Sequence, residues 1–180
     1  MSIHKVEGYE EDDGEQLTPA EASQSSTHKN YEAAMCIDGR DDGKEIVKKN
    51  PDQCSTLVPE SKKADPAPWL AIDYGEDAMV AVGKVVLANR LECCFERAAN
   101  IEVRLTNELP ADGASMFEGG KLLGSYEGPG AKGEKIEIES EDGWEGFVGR
   151  YLLVQSDKAD KPDALNLKEV TAFVRKVESV

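Results

Sequence analysis

The sequence predicts an all-β protein, an antiparallel sandwich or barrel, and three observations carry that prediction. Apolar residues alternate with charged ones at period two in short runs. Glycine-rich turns separate those runs at regular spacing. Helix signals are sparse. Such a pattern belongs to two packed antiparallel layers or one closed sheet.

In chain order, the one helix candidate comes first. In Thr18-Pro19-Ala20-Glu21, Thr18 is placed to cap, Pro19 to sit at the first helical position and Glu21 to close a capping box. Trp69-Leu70-Ala71-Ile72 is a short apolar run between Pro66, Pro68 and Gly75 and reads as a strand. Val80 to Ala88 is rich in β-branched residues, with Gly83 as a bulge position. Ile101, Val103 and Leu105 alternate with Glu102 and Arg104, as Ile136 and Ile138 do with Lys135, Glu137 and Glu139. Tyr151 to Val154 is a further strand, and Leu165, Leu167, Val170, Ala172 and Val174 supply one or two more. Turns are marked by Pro110 to Gly113, Gly119-Gly120, Gly128-Pro129-Gly130 and Glu141 to Gly143. Residues 40–68 form a long polar stretch, edged by Cys36 and Cys54, which are placed to pin it.

The chain has 180 residues, which at roughly 150 per domain is one domain with a short appendage. Residues 1–16 hold six acidic side chains against Lys5 alone, too little apolar area to offset ordering, so they read as a flexible arm before a domain over 17–180. The net charge of −15 opposes phosphate backbones and anionic lipid, which argues against nucleic-acid partners. No stretch approaches the ~18 apolar residues of a membrane span, so no membrane insertion is expected. The first residues lack the basic, apolar and small-residue order of a secretory signal, which leaves a cytosolic chain and a mature secreted one both open.

Cys36, Cys54, Cys93 and Cys94 allow three pairings. No C-x-x-C spacing is present, and His4 and His28 are the only histidines, a poor ligand set for zinc. Two disulfides in an oxidising compartment are the leading expectation, with four reduced thiols the alternative. A bridge between the neighbours Cys93 and Cys94 requires a strained eight-membered ring, and such strain is found most often at functional sites.

Enzyme signals are missing. Both histidines lie in or near the N-terminal arm, no Gly-x-Ser-x-Gly elbow occurs, and neither phosphate-loop nor dinucleotide fingerprints are present. Asp38-Gly39-Arg40-Asp41-Asp42-Gly43 begins like an EF-hand loop, but Arg40 and Lys49 occupy ligand positions, so any calcium there needs an irregular loop. The most informative segment is Asn89-Arg-Leu-Glu-Cys-Cys-Phe-Glu-Arg97. Its two guanidinium forks suit hydroxyl or carboxylate oxygens, and a bonded sulfur pair beside them is a stiff apolar plate. Polar forks beside an apolar platform are what a sugar needs. The plain alternative pairs both arginines with Glu92 and Glu96 on the surface.

From about Ala22 to Val174 the chain resembles the F-type lectins, or fucolectins, which share a discoidin-like jelly-roll sandwich. Ala22-Ser-Gln-Ser-Ser26 resembles the opening strand motif, and Ile37-Asp38-Gly39 the Ala-Ile-Asp-Gly-Asn turn. Cys54-Ser-Thr56 is similar to Cys-Thr-His, and Pro68-Trp-Leu-Ala-Ile-Asp73 to Pro-Trp-Trp-Arg-Val-Asp. The Asn89–Arg97 segment resembles Asn-Arg-Gly-Asp-Cys-Cys-Gly-Glu-Arg, the most specific of these motifs. Gly149-Arg-Tyr151 and Leu165-Asn-Leu-Lys-Glu-Val170 are similar to the late strands.

The resemblance implies a calcium-stabilised carbohydrate-binding protein, secreted, without enzymatic activity, whose partner is a glycan, fucosylated in the family. It implies Arg90 and Arg97 as the groups that bond sugar hydroxyls and ring oxygen, with a Cys93–Cys94 disulfide beneath the sugar. Glu92 stands where the family has the Asp that orients the first arginine. Asp38 and Glu169 match side-chain calcium ligands, while Met35, Arg40, Gln53 and Lys168 match positions that offer mainly backbone carbonyls. The departures are specific. Thr56 replaces the family's His, in a longer loop that also brings Lys62 and Lys63, and Phe95 replaces a Gly and either walls or blocks the site. Lys168 replaces a late Cys while Cys36 is new, so a compensating Cys36–Cys54 bridge is expected; a second family disulfide is lost around Met116 and Ile138. Lectins of this kind gain affinity by multivalency, which makes a homo-oligomer an expectation as well. The rival reading is a sandwich without sugar binding, acting as an adhesion, matrix or ion-associated interaction protein.

Overall fold

The computed structural model describes residues 14–40, 52–139 and 147–174. Ten strands run in chain order: β1 (Glu21–Gln24), β2 (Cys54–Ser55), β3 (Trp69–Asp73), β4 (Lys84–Ala88), β5 (Ile101–Thr106), β6 (Lys121–Tyr126), β7 (Lys135–Glu139), β8 (Tyr151–Ser156), β9 (Asn166–Leu167) and β10 (Glu169–Phe173). Two 3-10 turns, Ala33–Cys36 and Phe95–Arg97, are the helical segments among the described residues.

All pairings are antiparallel. A five-stranded sheet has the order β1-β3-β8-β5-β6, a three-stranded sheet the order β10-β4-β7, and β2 pairs with β9. The alternation read in the sequence becomes the core. Leu70, Ile72, Ile101, Val103, Leu105, Leu152 and Val154 of the large sheet meet Val85, Leu87, Ile136, Ile138, Val170 and Ala172 of the small one. The opposite parity of β3 and β8 carries Trp69, Ala71 and Leu153 to the outer face, where Phe117 packs over them. Period two thus buries both faces of the central strands.

Several expectations are corrected. Thr18–Glu21 forms no helix: Ala20 N–H donates to the Asp73 carbonyl at 2.8 Å, and the chain enters β1 beside β3. Strand pairing outcompetes a cap with no helix behind it. The Val80–Ala88 run is a strand only from Lys84; Val80 makes an isolated bridge to Gly149. Gly83 bulges nothing, its N–H reaching the Phe173 carbonyl at 2.7 Å, and the register shift lies instead at Val103/Arg104 against β6. Strand β6 itself is absent from the sequence reading, because Gly124 interrupts its apolar pattern; a Cβ there would lie 2.6 Å from Ile138. Within the 1–16 segment read as an arm, Gln16 bridges Phe173 and the Val174 N–H bonds the Glu15 carbonyl. Residues 1–13 of that segment and residues 41–51 of the polar stretch lie outside the described residues.

Cys36 and Cys54 are bonded, and both are fully buried beside Leu167 and Leu165. This bridge ties the Ala33–Cys36 turn to β2 and anchors the loop end of the sandwich.

Candidate functional site

The site is built on the loop that leaves β4. Asn89 is its keystone: 2 % exposed, it donates from Nδ2 to the carbonyls of Phe95 (2.8 Å) and Ala131 (3.0 Å) and accepts the Arg90 N–H at Oδ1 (2.9 Å). One amide therefore fixes both ends of the loop. Gly130 makes room for it, since a Cβ there would sit 2.5 Å from Asn89 Nδ2 and 2.9 Å from the Phe95 carbonyl. Gly133, at φ 62°, closes the same corner by donating to the Arg90 carbonyl at 2.8 Å.

The loop places the two forks around the sulfur pair. Arg90 is nearly buried; its Nε stands 3.6 Å from Glu92 Oε2 and its Nη2 3.6 Å from Cys93 Sγ. Arg97 ends the 3-10 turn, and its Nε meets Asp163 Oδ1 at 2.8 Å. The turn is held from below by the buried Lys158, whose Nζ donates to the Arg97 carbonyl at 2.7 Å. Burial and the nearby Arg97 and Lys161 hold that lysine below its usual range, against the pull of Asp163.

Cys93 and Cys94 are both free thiols, so the expected bridge between them is not formed in the structure. A ring across neighbouring residues is strained, and here Cys94 instead takes a left-handed φ of 61° that starts the turn carrying Arg97. Burial and contact with Cys93 push the Cys94 thiol up, against the pull of Arg97 and Arg90. It therefore stays protonated at neutral pH and is a weak nucleophile. Two adjacent thiols still present a polarizable, largely apolar surface between the guanidinium groups. Phe95, half-buried, follows them and uses its carbonyl on Asn89.

Thr56 does not face this site. It is 1 % exposed, and its Oγ1 accepts the Leu165 N–H at 2.9 Å and lies 3.4 Å from the Leu165 carbonyl. Its hydroxyl is consumed in joining β2 to the segment before β9. Lys62 and Lys63 are exposed. Arg97 pairs with Asp163 and not with Glu96, which replaces one of the two surface pairs of the plain reading. Asp163 also accepts the Ala164 N–H at 2.8 Å and lines a cavity of about 400 Å³ with Glu96, Asn100 and Lys161. Neither Asp163 nor Lys158 carried a local signal, because their partners lie far away in the chain.

Neither a family profile nor a curated protein sequence matches the chain. Solved structures do. A fucolectin from striped bass (Morone saxatilis) serum is 21 % identical, with a TM-score of 0.66 over 89 % of this chain. The lectin domain of lectinolysin, solved with Lewis b antigen, is 24 % identical, with a TM-score of 0.64 over 90 % of this chain and 98 % of that domain. A Streptococcus pneumoniae fucose-binding module is 20 % identical, with a TM-score of 0.63 over 90 % and 96 %. The chain has the F-type lectin fold. It spans about half of the striped bass fucolectin, 48 %, and nearly all of the single modules.

Within the F-type lectin fold, the segments matched to calcium positions gather at the other side of the bridged turn. Asp38 and Glu169 meet: Glu169 is 4 % exposed, its Oε1 accepts the Gly39 N–H at 3.1 Å, and its Oε2 has no hydrogen-bond partner. Burial and the Asp38 carboxyl push Glu169 up to about 7, while the Gly39 N–H and Lys135 pull it down. Two abutting carboxylates with an orphaned oxygen fit a hard cation. Among the described residues no group of three or more His, Cys, Asp or Glu surrounds them, so carbonyl oxygens must complete any coordination. Gln53 is buried with Nε2 unsatisfied, and the buried Lys168 turns its Nζ to Asp52 at 3.1 Å, leaving backbone as its contribution. Arg40 stands 3.7 Å from Asp38, and Met35 lies in the bridged 3-10 turn.

Proposed function

We propose that this protein is a carbohydrate-binding module that recognises a glycan reversibly, without catalysis, at the Asn89–Arg97 loop. The observation that carries this reading is the pair of guanidinium forks flanking adjacent sulfurs, each fork oriented by its own carboxylate: Arg90 by Glu92 and Arg97 by Asp163. Guanidinium donors take sugar hydroxyls, and the sulfur surface takes the apolar face of a sugar ring or its methyl group. The similarity to a lectin domain solved with Lewis b antigen and to a fucose-binding module supports a fucosylated glycan here. Oxidation of Cys93 and Cys94 to a bridge would stiffen the same surface.

Calcium belongs to the proposal as a brace. Asp38 and Glu169 would hold it by side chains and Met35, Arg40, Gln53 and Lys168 by carbonyls; bound there, it would neutralise the two carboxylates and tie the Asp38 turn to the start of β10. A secreted location and a homo-oligomer that multiplies weak sites complete the proposal. The buried Cys36–Cys54 disulfide supports an oxidising compartment. No helix among the described residues is long and apolar enough to cross a membrane.

A glycan array carrying Lewis b, L-fucose, galactose and GalNAc-β-1,3-galactose tests the reading. Binding by the unaltered chain that disappears in Arg90→Ala supports it; absence of binding, or binding that survives the substitution, overturns it.

A further inference from the structure

Residues 107–120, between β5 and β6, form a long connection whose backbone is spent on the large sheet. The buried Gln155 lies beneath it: Nε2 donates to the Ala67 and Ser115 carbonyls at 2.9 and 3.1 Å, and Oε1 accepts the Phe117 N–H at 2.7 Å. Trp69 Nε1 donates to the Asp112 carbonyl at 3.0 Å, and the Gly113 carbonyl accepts the Ala67 N–H at 2.8 Å. Phe117 packs over Trp69, Ala71 and Leu153, and position 119 must be a glycine, because a Cβ there would stand 2.5 Å from Phe117 Cζ. Pinned in this way, the connection leaves a hollow on its open side. This cavity, of about 440 Å³, has walls that include Pro110, Asp112, Ser115, Met116, Phe117 and Glu118, none of them part of the Asn89–Arg97 loop.

The chemistry of the walls selects the occupant. An aromatic ring, a thioether and a proline ring supply polarizable, apolar surface. Asp112 and Glu118 add two carboxylates, and among the described residues no lysine or arginine lines the cavity. The adjoining guanidinium, Arg104, reaches the Glu118 and Gly119 carbonyls at 3.4 and 3.3 Å, but Glu102 answers its charge at 3.2 Å. An anion is therefore repelled. A primary ammonium would turn N–H donors against apolar walls, an unfavourable burial. A cation whose nitrogen is covered by alkyl groups suits both the carboxylates and the walls. We propose that this cavity binds a small alkylated ammonium ion, held against Phe117 and Met116 with Asp112 and Glu118 as its counter-charges. The net charge of −15 enriches such a cation around the molecule. This site goes beyond the glycan reading and does not depend on it.

The test is titration of the full chain with choline, with phosphocholine and with neohexyl alcohol, in which carbon replaces the nitrogen of choline and removes its charge. Calorimetry and the proton–nitrogen NMR signal of the Trp69 indole follow the binding; that N–H bonds the Asp112 carbonyl and so reports on the cavity wall. Choline is expected to shift the Trp69 signal saturably and to bind more weakly at high salt. The neutral alcohol, and phosphocholine with its repelled phosphate, should bind at least about threefold more weakly. Glu118→Gln and Phe117→Leu should each weaken choline binding roughly threefold to tenfold. Glu118 is exposed, so its variant keeps the fold, which a matching melting curve checks. Equal affinity for choline and either analogue, choline binding unchanged in Glu118→Gln or Phe117→Leu, or no Trp69 response to choline at millimolar concentration overturns the proposal.

Discussion

Arg97 and Asp163 show how much of the site resides in single side chains. A guanidinium has many rotamers, and the 2.8 Å contact with Asp163 holds Arg97 in one of them. Asp163→Ala should weaken glycan binding about tenfold without unfolding the protein, because a hydrogen bond to a charged group contributes about 1.5–3 kcal/mol and the variant frees Arg97 to move without removing it. Calorimetry beside a melting curve separates the two effects. Asp73 and Arg150 form the second fork of consequence, with contacts at 2.8 and 2.7 Å. They join the Pro68–Asp73 and Gly149–Tyr151 motifs, which the sequence leaves as unrelated segments. Arg150 holds the Asp73 carboxyl below its usual range, despite burial. The folded state therefore binds that proton more weakly than the unfolded chain, whose carboxyl titrates near 3.8. The stabilisation is complete above that pH and is lost as pH falls through the lower folded value. Melting curves from pH 6 to pH 2.5 should show an acid-dependent component that Asp73→Asn removes.

At the level of elements, legibility followed the range of the contacts. The period-two run of β5 needs nothing beyond itself, and Ile101, Val103 and Leu105 are all buried as expected. The Thr18–Glu21 cap signal is equally local but misleads, because the competing partner, β3, lies about fifty residues downstream. The same contrast divides the site. Arg90, Cys93, Cys94 and Arg97 stand in one motif and are legible, whereas Asp163 reaches Arg97 from a segment more than sixty residues downstream. For a related reason, the match of Thr56 to a ligand position does not reveal that its hydroxyl accepts the Leu165 N–H. The Cys36–Cys54 bridge pins the pair β2–β9 on which this arrangement depends. Closing a separation of 18 residues, it stabilises the folded state by about 3 kcal/mol in the chain-entropy account. Replacing both cysteines by serine should lower the denaturation midpoint accordingly, with Arg90 and Arg97 still able to bind in the folded fraction.

For the whole molecule, two layers of strands form a base; the loop that leaves β4 carries the forks, and Glu169, which opens β10 opposite Ala88, meets the Asp38 turn. The −15 net charge makes cation binding favourable and keeps copies apart unless a specific contact joins them. A cation that binds the folded state alone raises stability with concentration, by about 2.7 kcal/mol at a hundredfold excess over its dissociation constant. Calcium should therefore raise the melting temperature, and chelation should lower it before it lowers glycan affinity. Identical melting curves with calcium and with chelator contradict the brace. Weak single sites also favour multivalent presentation, so binding to a dense glycan surface should exceed binding to the free sugar.

The most direct measurement is calorimetric titration of Lewis b oligosaccharide into the unaltered chain and into Arg90→Lys, which keeps the charge but loses the planar fork. The account predicts saturable one-site binding by the unaltered chain and a loss of at least about tenfold in the variant, the order of a charged hydrogen bond. Equal affinity in both, or no heat of binding in either, contradicts it.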